Sequence, residues 1–431
     1  MQRKIVMLRP REWLRDAYIL NVSSMAIAQM EGFDRVQGAL FQSEVRPIPV
    51  PTRAVVENVR LSEGVFMGRQ PVATPHNFMM SAEFEDEEAE NRFLHDRADD
   101  VTGIYSDPAI EPMPAICPGG AVGTGNDALA AINAAAVHAQ GFRGNTIRVA
   151  VVDTGIDGTR IAVAGGWTLF PGVAPGTARP DHGTMVAANV QLAAPNAAIW
   201  DCPLLQSRGG GYVAFLSDAI RAYAEILVTL LQMPGPMVIV NSWGMFSRTQ
   251  DAPTGNPQNY ASNAAHPFNL MVATLGNANA DVVFAAGNCG KDCPDGRCGP
   301  SDIGPNKSIF GANSHPDVLS VAAVTHKLDR LGYSSQGNGT LSLQKPDVAA
   351  PSHHAHSGIY PADGGTSTAC PVAAGCIAAL RSKPSIRPLP PASLRDAIRN
   401  SARMVPGYSA GWNPDVGHGV IDLVGAMAKL P

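Results

Sequence analysis

The sequence predicts an α/β protein: a parallel sheet with helices on both faces forming three layers, preceded by a small α+β domain. From Gly144 onward, short apolar runs without alternation are interleaved with helix-like stretches, the pattern of βαβ units whose strands are covered on both sides. Residues 1–112 break that pattern, and 43 glycines and 35 prolines in 431 residues suit shaped loops better than a helical bundle.

In chain order, the N-terminal part offers an apolar strand at Ile5–Leu8, a charged stretch at Glu83–Arg97, and Asp100–Asp107 around Val101 and Ile104. Glu111–Asn126 holds Pro112, Pro114, Pro118 and four glycines, and is expected to be irregular, exposed and open to nicking. The predicted organisation is therefore a domain over 1–112, a linker with a possible processing site over 113–125, and a larger domain over 126–431. Its buried strands are Ile147–Val152, Ala198–Trp200, Met237–Val240, Val282–Ala286 and Leu319–Val324, and helix-like text resumes at Ser393–Arg403. In such a sheet, functional residues collect at the carboxyl ends of the strands.

Composition narrows the function. A net charge of −5, 16% charged residues and no Lys/Arg run argue against a nucleic-acid partner. The longest apolar runs, such as Val318–Val324, have strand length, so no membrane span is expected. After Ile5–Leu8 the charges Arg9, Arg11, Glu12, Arg15 and Asp16 interrupt any signal-peptide core. Seven cysteines form no even framework. Together these features predict a cytoplasmic protein with reduced thiols, leaving export by a route other than Sec open.

Three segments carry candidate chemistry. In Val149–Asp157 a buried strand delivers Asp153 to its end and Gly155 allows the turn that follows. In Asp181–Ala187 a histidine, His182, stands at the start of a helical run. In Gly364–Gly375 small residues surround Ser367, which begins an Ala/Val helix where free N–H groups favour developing negative charge. Pro371 follows four residues later and fits the first turn. Each residue has a plain structural reading by itself: a turn-forming Asp, a structural His, a capping Ser.

As an ordered set, the three segments resemble the active-site signatures of the subtilisin-like serine peptidases, in the order Asp, His, Ser. Val282–Gly290 resembles the family's oxyanion strand, with the Asn288 amide as donor. Gly209-Gly210-Gly211-Tyr212 and Asn241-Ser242-Trp243-Gly244 resemble its substrate-lining edges. Ala194–Ile199, Lys345–Pro351 and Gly417–Asp422 extend the resemblance over roughly residues 126–428.

The resemblance implies a serine endopeptidase acting on polypeptides through an acyl-enzyme on Ser367, with His182 as base and Asp153 orienting it. Residues 1–112 resemble, more loosely, the inhibitory prodomains of the family, which implies a self-processing zymogen inhibited by its own N-terminal domain. A permanent N-terminal domain is the alternative. Two other functions stand beside hydrolysis: acyl transfer to an amine, as in a transpeptidase or macrocyclase, and a catalytically silent peptide-binding scaffold.

No cofactor and no metal is expected, because the family's calcium sites match no residues here. Cys289, Cys293 and Cys298 fit no standard zinc spacing and are expected to be reduced, with Cys293–Cys298 the favoured pair if one forms. Cys370 and Cys376 are expected as small buried side chains. His353, His354 and His356 are expected in a solvated loop, and Glu83–Glu90 on a solvated helix face.

Overall fold

The structure is a computed structural model, and it describes residues 1–431 except 20–21, 43–45, 52–75, 115–118, 170–171 and 207–212. The predicted α/β architecture is present. Seven parallel strands lie in the order Val348–Pro351, Val318–Val324, Ala280–Ala285, Met237–Asn241, Arg148–Val152, Ala198–Cys202 and Gly165–Gly166. The five predicted strands all appear, with ends shifted by a few residues. Val348–Pro351 and the two-residue Gly165–Gly166 were too short to stand out by apolar run.

Alternate residues of these strands feed two cores, which is why the runs are apolar throughout. Val149, Val151, Val238, Val240, Val283 and Val321 face the helices His182–Ala193 and Thr366–Arg381. Ala150, Val152, Ile239, Val282 and Phe284 face Leu216–Gln232 and Pro267–Asn277.

The first pair of helices carries two candidate residues, and small side chains bring it close. A Cβ added at Gly375 would lie 2.5 Å from the Val190 carbonyl oxygen, and one at Gly183 would lie 2.4 Å from the Gly155 oxygen. Thus the Ser367 helix touches the His182 helix, and the His182 helix touches the turn after Asp153, with no room for a methyl group.

The N-terminal region folds around its own core as an antiparallel sheet ordered Ala39–Phe41, His76–Phe84, Gln2–Leu8, Val101–Ser106, with Ile48–Pro51 also pairing with His76–Phe84. Its other face, through Ile5, Met7, Ile48, Val50 and Met79, joins the core under Leu216–Gln232 and Pro267–Asn277. Asp107 accepts from Ser217 N at 2.8 Å and Ser217 Oγ at 2.7 Å, satisfying orphan groups at that helix start, while Arg3 Nε neutralises it at 2.7 Å.

Within Glu83–Glu90, Glu85–Glu88 are solvated as expected, and Glu90 departs from that face. Asp86 caps the helix Glu87–Asp96, and Glu90 is buried against Lys4 Nζ at 3.1 Å while accepting from Gln258 Nε2. A buried carboxylate needs such partners, and the long-range ones cannot be read from local charge density.

Gly375→Ala is expected to force the two buried helices apart. Overpacking of this kind costs about 1–3 kcal/mol. Urea denaturation should show the loss.

Candidate active site

Asp153 follows the Arg148–Val152 strand and is fully buried. Its Oδ1 accepts from Thr154 N and faces His182 Nδ1, each at 2.7 Å. His182 is the first residue of its helix, and Asp181 caps that helix start through the His182 N–H at 2.8 Å. Gly183 N donates to Thr154 Oγ1 at 2.9 Å, so helix start and Asp turn are bonded as well as packed. With Nδ1 engaged, the buried Nε2 of His182 has no hydrogen-bond partner among the described residues and remains open to accept a proton.

Ser367 is the second residue of Thr366–Arg381, after Gly365 at φ 81°. Pro371 cannot donate to the Ser367 carbonyl, and Ser242 Oγ does so instead at 3.1 Å. Asn288 follows the Ala280–Ala285 strand. Its Oδ1 accepts from Thr366 N at 2.9 Å and Thr366 Oγ1 at 2.8 Å, which turns its Nδ2 toward the groove.

A carbonyl already lies between these groups. Asn288 Nδ2 donates to the Met113 oxygen at 2.8 Å and the Pro114 oxygen at 3.2 Å, and Ser367 Oγ also donates to Met113 O. Ala109–Pro112 is the middle strand of a three-stranded antiparallel sheet, with Ala214–Phe215 on one side and Trp243–Gly244 on the other. Met113 N then donates to Ser242 O at 3.1 Å. The Met113 side chain is buried, and it lines a small pocket together with Met245, Phe246, Ala286, Gly287, Phe310 and Asn313.

This corrects the expectation of an exposed, irregular linker for Glu111–Pro114 alone, since Gly119–Ala121 are exposed and irregular as expected. Ser242, Trp243 and Gly244 pair with the backbone that Pro112 and Pro114 seemed to leave without regular structure.

Asp153 thus pairs with His182, Asn288 and Ser367 meet at the Met113 carbonyl, and the helices that carry His182 and Ser367 pack together, while Ser242, Trp243 and Gly244 line the bound segment. Gly209, Gly210 and Gly211 lie outside the described residues. Reasoning from sequence missed Ala214, Phe215, Met245, Phe246 and Phe310. The apolar pair directly after Gly244 was the available signal for two of them.

Two loops also differ from expectation. Cys289 and Cys298 form a disulfide with Cα atoms 5.8 Å apart, and Cys293 is disulfide-bonded too, so these thiols are not reduced and Cys293–Cys298 is not the pair. The nine-residue separation folds back because Asp295 N bonds Asn288 O and Cys298 N bonds Asp295 O. Cys202, Cys370 and Cys376 are free and buried.

His353 and His354 are buried, not solvated. His354 Nε2 meets Asn189 Oδ1 at 2.9 Å, and burial, with His356, His326 and His353 nearby, lowers its pKa to about 4.

An Asp–His pair and, on the helix packed beside it, a hydroxyl that shares a peptide carbonyl with an amide donor are the groups that nucleophilic acyl transfer uses. The subtilase family model matches residues 144–419, and the chain belongs to that family, one of serine peptidases. It is 26% identical over 264 residues to subtilisin E of Bacillus subtilis, covering 58% of this chain and 60% of that one. A subtilisin of Bacillus pumilus matches at 26% identity over 58% of this chain and 82% of its own. Mycosin-4 of Mycobacterium tuberculosis is 27% identical over 330 residues, 67% of this chain and 66% of its own. The chain thus spans about three-fifths of the length of subtilisin E.

Beside the site lies a second buried carboxylate, Asp201. Its Oδ2 accepts from Ile156 N at 3.1 Å and Gly176 N at 2.8 Å, and Oδ1 has no partner among the described residues. Burial raises its pKa to about 6, against the two backbone bonds and with a further push from Asp153.

A carboxyl whose folded pKa exceeds its unfolded value favours the fold while protonated. That contribution is complete below about pH 4 and is lost as pH rises through about 6. Asp201→Asn keeps an acceptor and removes the ionisation, so it is expected to leave stability near wild type at pH 4. At pH 8 it should gain on the order of 2–3 kcal/mol, read from urea midpoints at both pH values.

Proposed function

We propose that this chain is a serine endopeptidase that hydrolyses peptide bonds through an acyl-enzyme on Ser367, and that residues 1–112 act as an intramolecular inhibitor of a self-processing zymogen. The observation that carries this reading is the Met113 carbonyl, held by Asn288 Nδ2 at 2.8 Å and by the Ser367 hydroxyl, in a chain paired on both sides.

A polypeptide lying where Ala109–Met113 lies would offer its carbonyl carbon to Ser367 Oγ. His182 Nε2 takes the hydroxyl proton, Asp153 stabilises the resulting imidazolium across 2.7 Å, and Asn288 Nδ2 stabilises the oxyanion. His182 then protonates the leaving nitrogen, and water completes hydrolysis by the reverse path.

In the chain's own segment the leaving nitrogen belongs to Pro114. It carries no hydrogen, and its ring replaces the small N–H on the side from which His182 must deliver the proton. The segment is therefore suited to blocking the groove and poorly suited to rapid cleavage at Met113–Pro114. The Cys289–Cys298 bond supports work in an oxidising compartment, in place of the cytoplasmic location read from sequence.

Ser367→Ala is expected to abolish both self-cleavage, followed by mass, and labelling by a fluorophosphonate. On peptide substrates it should lower kcat by about 10⁶, and Asn288→Ala by about 10²–10³, the sizes known for such residues in subtilisin. Labelling without self-cleavage would make residues 1–112 a permanent domain. Neither signal in folded protein would favour a silent peptide-binding scaffold, and products lacking added water would favour a transpeptidase. Pro114→Ala should speed release of the 1–113 fragment at least tenfold.

A further inference from the structure

The loop closed by Cys289–Cys298 begins directly after Asn288 and returns a cation to the groove. Arg297 Nη1 lies 3.0 Å from Glu111 Oε2. Glu111 stands opposite Gly244 in the strand pairing, two residues before the Met113 carbonyl held by Asn288.

The guanidinium is fixed before any partner arrives. Asp295, with a side chain only 1% exposed, takes Nε at 3.0 Å and Nη2 at 2.9 Å, and the Phe246 ring lies 3.8 Å below the guanidinium carbon. Asp295 is itself anchored, its N–H on Asn288 O at 2.9 Å. Thus Nη1 is left pointing at one position of the bound strand, and the ordering entropy of a long side chain is already spent.

We propose that Arg297 is a specificity-determining residue, selecting substrates with an acidic side chain at the third residue before the scissile bond, two residues before the one whose carbonyl is attacked. The inference rests on the peptidase reading above and names part of its substrate class.

Its size follows from exposure and charge. The Arg297 and Glu111 side chains keep 30% and 26% of their surface, and Asp295 already balances the guanidinium charge. The gain is that of a partly solvated, preorganised ion pair, about fivefold in rate or affinity.

The test uses the full chain after self-processing and three peptidyl coumarin amides, Ala-Ile-Glu-Pro-Met and the same peptide with Gln or Lys at the third position. kcat/KM should favour Glu over Gln about fivefold and over Lys more strongly, and Arg297→Glu should reverse the Glu/Lys order. Equal rates for all three peptides in a chain that cleaves them would overturn the proposal while leaving the peptidase reading intact.

A chain that cleaves none of them and takes no fluorophosphonate label sinks the peptidase reading, and with it the selection of substrates. Recognition between the two side chains is then read separately, by hydrogen exchange of residues 109–113 in the full chain carrying Ser367→Ala. Glu111→Lys and Arg297→Glu should each speed exchange several-fold, and the double charge swap should restore it. Additive effects without restoration would overturn the pairing itself.

Discussion

The arrangement of the candidate site depends on one steric constraint, the close approach of two buried helices at glycine. Gly375 lets the Thr366–Arg381 helix rest on the Val190 carbonyl, and Gly183 lets the His182 helix rest on the Gly155 carbonyl. Asp, His and Ser come from three separate stretches of chain, so the distances among them are set by backbone-to-backbone contact. A contact of that kind has almost no give: a close-packed interior transmits a shift of a few tenths of an ångström, whereas flexible side chains would absorb it. The 2.7 Å spacing of His182 and Asp153 is therefore a property of the packing as much as of the pair.

The same helix start solves two hydrogen-bond problems with residues that also face the groove. Pro371 leaves the Ser367 carbonyl without its helical donor, and Ser242 Oγ supplies one. Ser242 also uses its backbone carbonyl to accept from Met113 N. Thr366, next to the candidate nucleophile, fixes the Asn288 amide through both its N–H and its hydroxyl. Each of these residues holds the site with one group and the bound chain with another or through a neighbour, so substrate position and nucleophile position share a frame.

Much of this was legible in the sequence, for identifiable reasons. Asp153, His182 and Ser367 each had a plain structural reading alone, and it was the ordered resemblance to the subtilisin-like peptidases that singled them out together with Asn288. The alternation-free strands declared themselves because both faces are covered. What could not be read were pairings set by distance. Glu111–Met113 looked like linker because two prolines cannot continue a regular element alone, yet Ser242, Trp243 and Gly244 supply partners from more than a hundred residues away. Glu90 looked solvated because its partners, Lys4 and Gln258, lie far off in sequence. The cysteines of the 289–298 loop gave no zinc spacing, and reading them as thiols followed from an odd count that says nothing about which of seven are close in space.

That loop links two properties that are usually separable in an enzyme, transition-state stabilisation and substrate choice. Asn288 is the oxyanion donor candidate, and its own carbonyl accepts from Asp295 N, whose carboxylate in turn fixes Arg297. A covalent bond from Cys289 to Cys298 closes the loop immediately beyond both ends of this chain of contacts. A short closed loop loses less entropy on ordering than an open one, so the cation is held in place at little cost. Phe246 completes the arrangement: its ring carries the guanidinium, and it lines the same small pocket as Met113. On the proposed reading, the third side chain before the scissile bond is read by groups fastened to the strand that carries Asn288, and recognition there bears directly on how the reacting carbonyl is held.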